Sequence, residues 1–213
     1  MGGGVVESTL FEHAGTSSIR LIETLGWDGA QLVRLDGHLA RLMQGAAMLG
    51  YLCDLDAARA ALRAEGQGAP ARLRLTMGAG GDLELASAPM PAAKPLWRVG
   101  LADARLNTAD PYLRVKSTHR PAYDAARAAL PAGLDEVILL NERGEVADGS
   151  ISTLFFDQGQ GLRTPPLSSG ALPGVLRAEI AAPEENLTAA DLPQVKLWLG
   201  NSLRGLIPAV WCA

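Results

Sequence analysis

Apolar and polar residues alternate along residues 18–25, Ser-Ile-Arg-Leu-Ile-Glu-Thr-Leu, which predicts a β-strand. Trp27-Asp28-Gly29 supplies a turn before Gln31-Leu32-Val33. Past Asp36, a residue suited to cap a helix, the apolar positions Leu39, Leu42, Met43, Ala46, Ala47 and Leu49 recur at helical spacing. Gly50 marks the stop. Asp54 predicts a second cap, for an Ala- and Arg-rich helix over 55–64. Strict alternation returns at 72–76 and 82–85, with Gly78-Ala79-Gly80-Gly81 between them as a hairpin turn. That glycine run leads into a strand and lacks the dinucleotide-binding spacing, so it is not a phosphate loop.

Pro89, Pro91 and Pro95 crowd one short stretch, and few elements tolerate that density of prolines. The expected division is a small N-terminal α+β domain over 1–90 and a larger C-terminal α/β domain over 96–213. In the latter, a strand is predicted over 97–102, then a loop with Asp110-Pro111-Tyr112 and a helix over 122–130. The apolar run at 135–141 reads as a buried strand, turned by Glu142-Arg143-Gly144. Sheet signals continue at 145–148 and 152–157. A helix is expected to start at Pro173-Gly174, and a strand over 197–200 to run into the polar turn Asn201-Ser202.

Composition removes several function classes. The 213 residues are 48% hydrophobic and 20% charged with a net charge of −4, which is not the footprint of a nucleic-acid binder. No apolar run approaches the roughly 20 residues of a membrane-spanning helix. The opening Met-Gly-Gly-Gly-Val-Val-Glu lacks the charged and apolar regions of a secretory signal. Cys53 and Cys212 are too few for a disulfide framework or a structural zinc site. A cytoplasmic protein with no membrane and no nucleic-acid partner is expected.

The candidate chemistry starts from the lysines. Among nineteen basic residues the lysines are Lys94, Lys116 and Lys196. Arginine stays charged, whereas a desolvated lysine can act as an amine nucleophile. Lys116 stands in a strand-like alternation that begins at Tyr112, ahead of a polar cluster and a helix start, and Schiff-base chemistry needs such a partly buried lysine. His13, His38 and His119 show no metal-ligand spacing and are read as unrelated structural or surface residues, so no metal is expected. No G-x-S-x-G elbow is present.

Several separated segments fit one family in order. They are Leu21-Ile22-Glu23-Thr24-Leu25, His38-Leu39-Ala40-Arg41-Leu42, Lys116-Ser117-Thr118-His119-Arg120 and Asp135-Glu136-Val137. The series continues through the run from Asn141-Glu142-Arg143-Gly144 to Asp148-Gly149-Ser150-Ile151-Ser152 and Thr164-Pro165-Pro166-Leu167. It closes with Gly170-Ala171-Leu172-Pro173-Gly174-Val175-Leu176-Arg177 and Gly200-Asn201-Ser202-Leu203-Arg204-Gly205-Leu206. In these the chain resembles the class IV aminotransferase family, pyridoxal-phosphate enzymes of fold type IV. That family includes branched-chain and D-amino-acid aminotransferases and 4-amino-4-deoxychorismate lyases.

The resemblance implies an α+β fold, D-amino-acid aminotransferase-like, of two small domains with pyridoxal 5'-phosphate between them. It places the catalytic lysine on Lys116 and a phosphate-binding arginine on Arg41, a sound partner for a phosphate. Backbone amides and hydroxyls at Gly174, Val175 and Leu176, and at Asn201 and Ser202, complete the implied phosphate cradle. A helix start offers free N–H groups and a positive dipole end for that purpose. Asp148 stands where the family usually has a glutamate facing the ring nitrogen, keeping the charge on a shorter arm. Thr153 replaces a common asparagine. The opening and the Lys116 and Asn201 runs are most similar to the lyase half of fused aminodeoxychorismate synthase–lyase chains. His119, Arg120 and Arg204 are then candidates for the carboxylates of a small-molecule amino substrate. A homodimer is implied. The alternatives are a class IV transaminase acting on branched-chain or D-amino acids, and a non-catalytic paralogue serving as a binding subunit.

Overall fold

The computed structural model describes residues 18–212, so the N-terminal opening and His13 lie outside the described residues. The chain separates into two compact units. The first holds the described residues up to Met90 together with Val115–His119; the second holds Pro91–Arg114 and the chain from Arg120 onward. The proline-rich stretch is therefore where one unit gives way to the other. Lys116 groups with the first unit, not with the C-terminal domain to which the linear division assigned it.

In the first unit, β1 (Leu21–Trp27) pairs antiparallel with β2 (Ala71–Met77), and β2 pairs antiparallel with β3 (Leu83–Pro89). The register sets Leu21 opposite Met77, Glu23 opposite Leu75 and Leu25 opposite Leu73. Because side chains alternate across a strand, these residues share one face. Their apolar members are buried with Leu39, Leu42 and Ala46 of α1 (Leu35–Leu49) and Ala58 and Leu62 of α2 (Leu55–Glu65). Gly50 ends α1 in the left-handed conformation at φ 69°, which glycine adopts without a Cβ penalty. Asp54 caps α2 by accepting from the Ala57 N–H at 2.9 Å. At the start of α1 the structure differs from the sequence reading. Arg34, itself left-handed at φ 57°, occupies the cap position. Asp36 lies in the first turn, where a carboxylate suits the positive end of the helix, and pairs with Arg59 at 3.0 Å.

The second unit is built on a six-stranded sheet in the order β6-β5-β4-β9-β8-β7. The strands are β4 (Trp97–Leu106), β5 (Glu136–Asn141), β6 (Val146–Gly149), β7 (Thr153–Asp157), β8 (Lys196–Asn201) and β9 (Gly205–Trp211). β4 runs parallel to β5 and to β9, while the hairpins β5–β6, β7–β8 and β8–β9 are antiparallel. β4 outlasts the predicted strand because its register to β5 shifts between Leu101 and Arg105, so pairing resumes after an irregularity. The helices are α3 (Pro121–Ala128) and the short α4 (Val175–Ile180). β5 is buried at every position, as its apolar run predicts, and Leu154, Phe155 and Phe156 of β7 are fully enclosed. The end strands β6 and β7 are joined only by residues 150–152, with the Gly149 N–H donating to the Ser152 carbonyl at 2.8 Å. The sheet thus curls until its first and last strands are neighbours. The architecture is of the expected α+β class. No helix among the described residues is long and apolar enough to cross a membrane.

Candidate active site

In the first unit a buried carboxylate organises the candidate phosphate ligand. Glu23 lies on the face of β1 that packs on α1, and His38 and Arg41, three residues apart, share the facing side of that helix. Arg41 donates through Nε to Glu23 Oε1 at 2.9 Å and through Nη2 to Oε2 at 2.6 Å, while His38 Nδ1 lies 2.6 Å from Oε2. Glu23 and His38 are almost wholly enclosed, and 12% of the Arg41 side chain remains exposed. Burial alone would raise the Glu23 carboxyl, but the Arg41 charge and the hydrogen bonds from His38 and Arg41 outweigh it and hold the group below its ordinary value. The guanidinium is fixed along one edge by this fork, which leaves its remaining N–H groups for an anion.

Lys116 is tied to the same strand. The Ile22 N–H donates to the Lys116 carbonyl at 2.8 Å and the Thr118 N–H to the Arg20 carbonyl at 2.8 Å, so Leu21 and Ser117 form an antiparallel bridge. Val115 and Ser117 are buried and Lys116 half-buried, set beside Ile22 on the sheet face opposite Glu23. The extended segment begins only at Val115. Residues Pro111–Arg114 form a 3-10 turn in place of the strand-like alternation expected from Tyr112. The other lysines stay at the surface, Lys94 paired with Asp135 at 2.5 Å and Lys196 exposed on β8. His119 is exposed, and its backbone N–H closes onto Ser117 Oγ at 3.2 Å.

In the second unit, the remaining candidates converge on one end of the sheet. Asp148, opposite Leu139 in the β5–β6 pairing, is buried and accepts from the Leu172 N–H at 3.1 Å. Leu172 leads directly into α4. The Gly174 carbonyl accepts the first intrahelical bond, from Ala178 at 3.0 Å, so the N–H groups of Val175, Leu176 and Arg177 precede the helical ladder. A Cβ on Gly174 would stand 3.0 Å from Thr153 Oγ1, and one on Gly200 would stand 2.8 Å from Leu176 Cδ2. The helix start therefore packs closely on β7 and on the last turn of β8, where Asn201 and Ser202 follow. Thr153 is buried and fits this packing role.

Not every expected ligand atom is available. Neither Val175 nor Leu176 carries a hydroxyl, so this helix start offers backbone N–H groups only. The Asn201 side chain is engaged in shaping its turn. Its Oδ1 accepts from Leu203 and Arg204 at 3.1 and 3.0 Å, and its Nδ2 donates to the Ile151 carbonyl at 3.0 Å. Arg120, a candidate for a substrate carboxylate, also braces the fold. Its Nε donates to Asp124 at 2.9 Å, its Nη2 to the Ser150 carbonyl at 2.7 Å, and its guanidinium lies 5.1 Å over the Tyr123 ring. Arg204 lies over the Trp97 ring at 5.6 Å. Tyr123 donates to the Gly170 carbonyl at 3.4 Å. Burial, and then the Asp148 charge, push its phenol well above the ordinary value against the pull of Arg120.

The sequence reading left out Glu23, His38, Glu136 and Tyr123. The first two had a signal: an acid at an inward position of an apolar strand, with a histidine and an arginine three apart on the next helix. His38, read as a structural or surface residue, is buried and contacts Glu23 beside Arg41. Among the described residues no cluster of three His, Cys, Asp or Glu side chains could hold a metal ion.

The first unit carries a half-buried amine and an ion-paired guanidinium, and the second a buried carboxylate and a helix start whose first amides precede the helical ladder. These are the chemical complements of an aldehyde, a phosphate and a protonated ring nitrogen. A family model for amino-transferase class IV matches residues 20–211. An aminodeoxychorismate lyase from Bacillus subtilis (strain 168) is 32% identical over 132 residues, covering 55% of this chain. The match spans 44% of that relative's length. Among solved structures, a Mesorhizobium loti chain provisionally named an amino-acid aminotransferase is 41% identical, with a TM-score of 0.85 over 91% of this chain and 100% of that one. The 4-amino-4-deoxychorismate lyase from Pseudomonas aeruginosa is 28% identical, with a TM-score of 0.75 over 90% of this chain and 82% of that one.

Proposed function

The chain belongs to the class IV aminotransferase family, and on that premise we propose that it is a pyridoxal-phosphate-dependent lyase converting 4-amino-4-deoxychorismate to 4-aminobenzoate and pyruvate. The cofactor part of the reading is carried by one observation, the buried Glu23–Arg41 fork that presents a fixed guanidinium. The lyase part is supported by the Bacillus subtilis and Pseudomonas aeruginosa relatives.

When bound, pyridoxal phosphate supplies an aldehyde for an amine and a ring that accepts an electron pair. Lys116 Nζ would hold that aldehyde. Arg41, the α4 amides of Val175 and Leu176, and Asn201 and Ser202 would hold the phosphate. Asp148, whose carboxylate accepts from the Leu172 amide, would accept the N–H of the protonated ring. Lys116 Nζ then takes the proton from the amine-bearing carbon of the substrate. Aromatisation of the carbocycle breaks the bond to the enolpyruvyl oxygen, and the proton returns to that leaving group to give pyruvate. His119, Arg120 and Arg204 are the candidates for the substrate carboxylates. A homodimer is part of the same proposal.

The test is a product assay on the full chain loaded with pyridoxal phosphate. Formation of 4-aminobenzoate and pyruvate in equal amounts is expected. The Mesorhizobium loti relative favours a second reading, a transaminase with the same cofactor residues. Amino transfer to a 2-oxo acid with no 4-aminobenzoate would establish that reading instead.

A further inference from the structure

Glu136 opens β5 with no exposed surface. Its Oε1 accepts from its neighbour Val137 N–H at 3.0 Å, from the Ser150 N–H at 3.1 Å and from the Ser150 hydroxyl. Its Oε2 accepts from the Ile151 N–H at 3.1 Å and the Ser152 hydroxyl at 2.9 Å, and Arg127 Nη1 stands 3.9 Å from Oε1. Every contact is a donor, and the two carboxylate oxygens accept them all. Burying such a group is costly without full pairing, and an apolar residue would continue the β5 run more cheaply. Four of the five donated bonds come from one place, the 150–152 turn between β6 and β7.

That turn passes the constraint on. The Ile151 carbonyl accepts from Asn201 Nδ2 at 3.0 Å, and Asn201 Oδ1 holds the N–H groups of Leu203 and Arg204. The line from Glu136 to the Asn201–Ser202 peptide thus runs through fixed hydrogen bonds inside one unit. The far end of the line is the Asn201–Ser202 turn, directly after Gly200, where an added Cβ would stand 2.8 Å from Leu176 Cδ2 of α4.

We infer that Glu136 is a positioning residue for phosphate recognition, acting through the 150–152 turn and Asn201 on the Ser202 turn. The inference rests on the cofactor reading above. Glu136→Gln keeps the size of the side chain but places an amide NH2 among donors. At least one backbone N–H, that of Ile151 or those of Val137 and Ser150, is left unmatched. The turn loosens and the phosphate side of the cofactor loses its seat, while Lys116 on the first unit is untouched.

The experiment titrates the cofactor-free full chain with pyridoxal phosphate and, separately, with pyridoxal, which lacks the phosphate. The readout is the visible band of the lysine-bound aldehyde. For Glu136→Gln the band is retained and the pyridoxal affinity stays within about twofold. Affinity for pyridoxal phosphate falls about 10- to 100-fold, the range seen when the outer partner of a metal ligand is removed. Glu145→Gln is the control. Its carboxylate pairs with Arg143 and Ser169 away from this line, so it lowers melting temperature without changing either affinity. Should Glu136→Gln fail to fold, Ser152→Ala removes one donor of the five and shifts the phosphate preference the same way, by a few-fold. An unchanged ratio of the two affinities, or an equal loss in both, overturns the inference while the wild-type band upholds the cofactor reading. A wild-type chain that gives no band overturns that reading and this inference with it.

Discussion

Glu23→Gln tests the ion pair that fixes Arg41. The substitution removes the charge that faces Arg41 at 2.9 and 2.6 Å and replaces one acceptor oxygen with a donor NH2. Breaking a buried ion pair by removing one partner costs about 3–5 kcal/mol, because the other charge stays buried and uncompensated. Arg41 keeps 12% exposure. Gln also still offers one oxygen, so the expected loss falls just below that range, about 2–3 kcal/mol. For a chain of this size that is about 4–12 °C in melting temperature. The pH dependence gives an independent check. The Glu23 carboxyl is held below its ordinary value of 4.5 in the folded chain. The stability it contributes is therefore complete above that value and drains away as the pH falls through the folded one. The gap between wild type and variant should be widest near neutral pH and close in acid. Thermal unfolding followed by circular dichroism over a pH series reads both. A variant within about 0.5 kcal/mol of wild type at neutral pH, the scatter of an ordinary surface change, would refute the reasoning. So would a gap that does not narrow in acid.

Two further outcomes follow from other parts of the fold. Glu145 is held down to about 2 by hydrogen bonds from Arg143 and Asn141. Its contribution is present above the ordinary 4.5 and is lost as pH falls from there toward 2. Glu145→Gln should flatten the denaturation free energy across that acid window, and an unchanged slope would contradict the assignment. Gly200→Ala places a methyl group 2.5 Å from the Gly205 carbonyl oxygen in the β8–β9 pairing. Overpacking against backbone should cost about 1–3 kcal/mol in urea denaturation, and an unaltered midpoint would show that β9 yields freely.

What the sequence made legible is what is local. Gly50 and Asp54 work as stop and cap because each acts within one turn of its own helix. The β2–β3 hairpin was readable from alternation around a glycine turn. Less was readable where tertiary partners decide. Arg34 enters α1 in a left-handed conformation that no propensity favours, displacing the better cap Asp36 by two positions. Lys116 was singled out through its rarity and its motif, yet its unit depends on hydrogen bonds to β1 nearly a hundred residues earlier in the chain. Arg120 and Asn201 were singled out from their positions in motifs, and the hydrogen bonds by which both side chains also brace turns were not readable there. Glu136 was quoted within a segment without a role, since its partners at 150–152 are joined to it only by the β5–β6 hairpin.

The central claim is that Lys116 is the amine that holds the cofactor. Its most direct test is the visible absorbance spectrum of the purified chain with added pyridoxal phosphate, compared with Lys116→Ala. The account predicts a yellow band in the wild type that borohydride traps on Lys116 and that the variant lacks. A wild type without the band, or a variant that keeps it, would contradict the account.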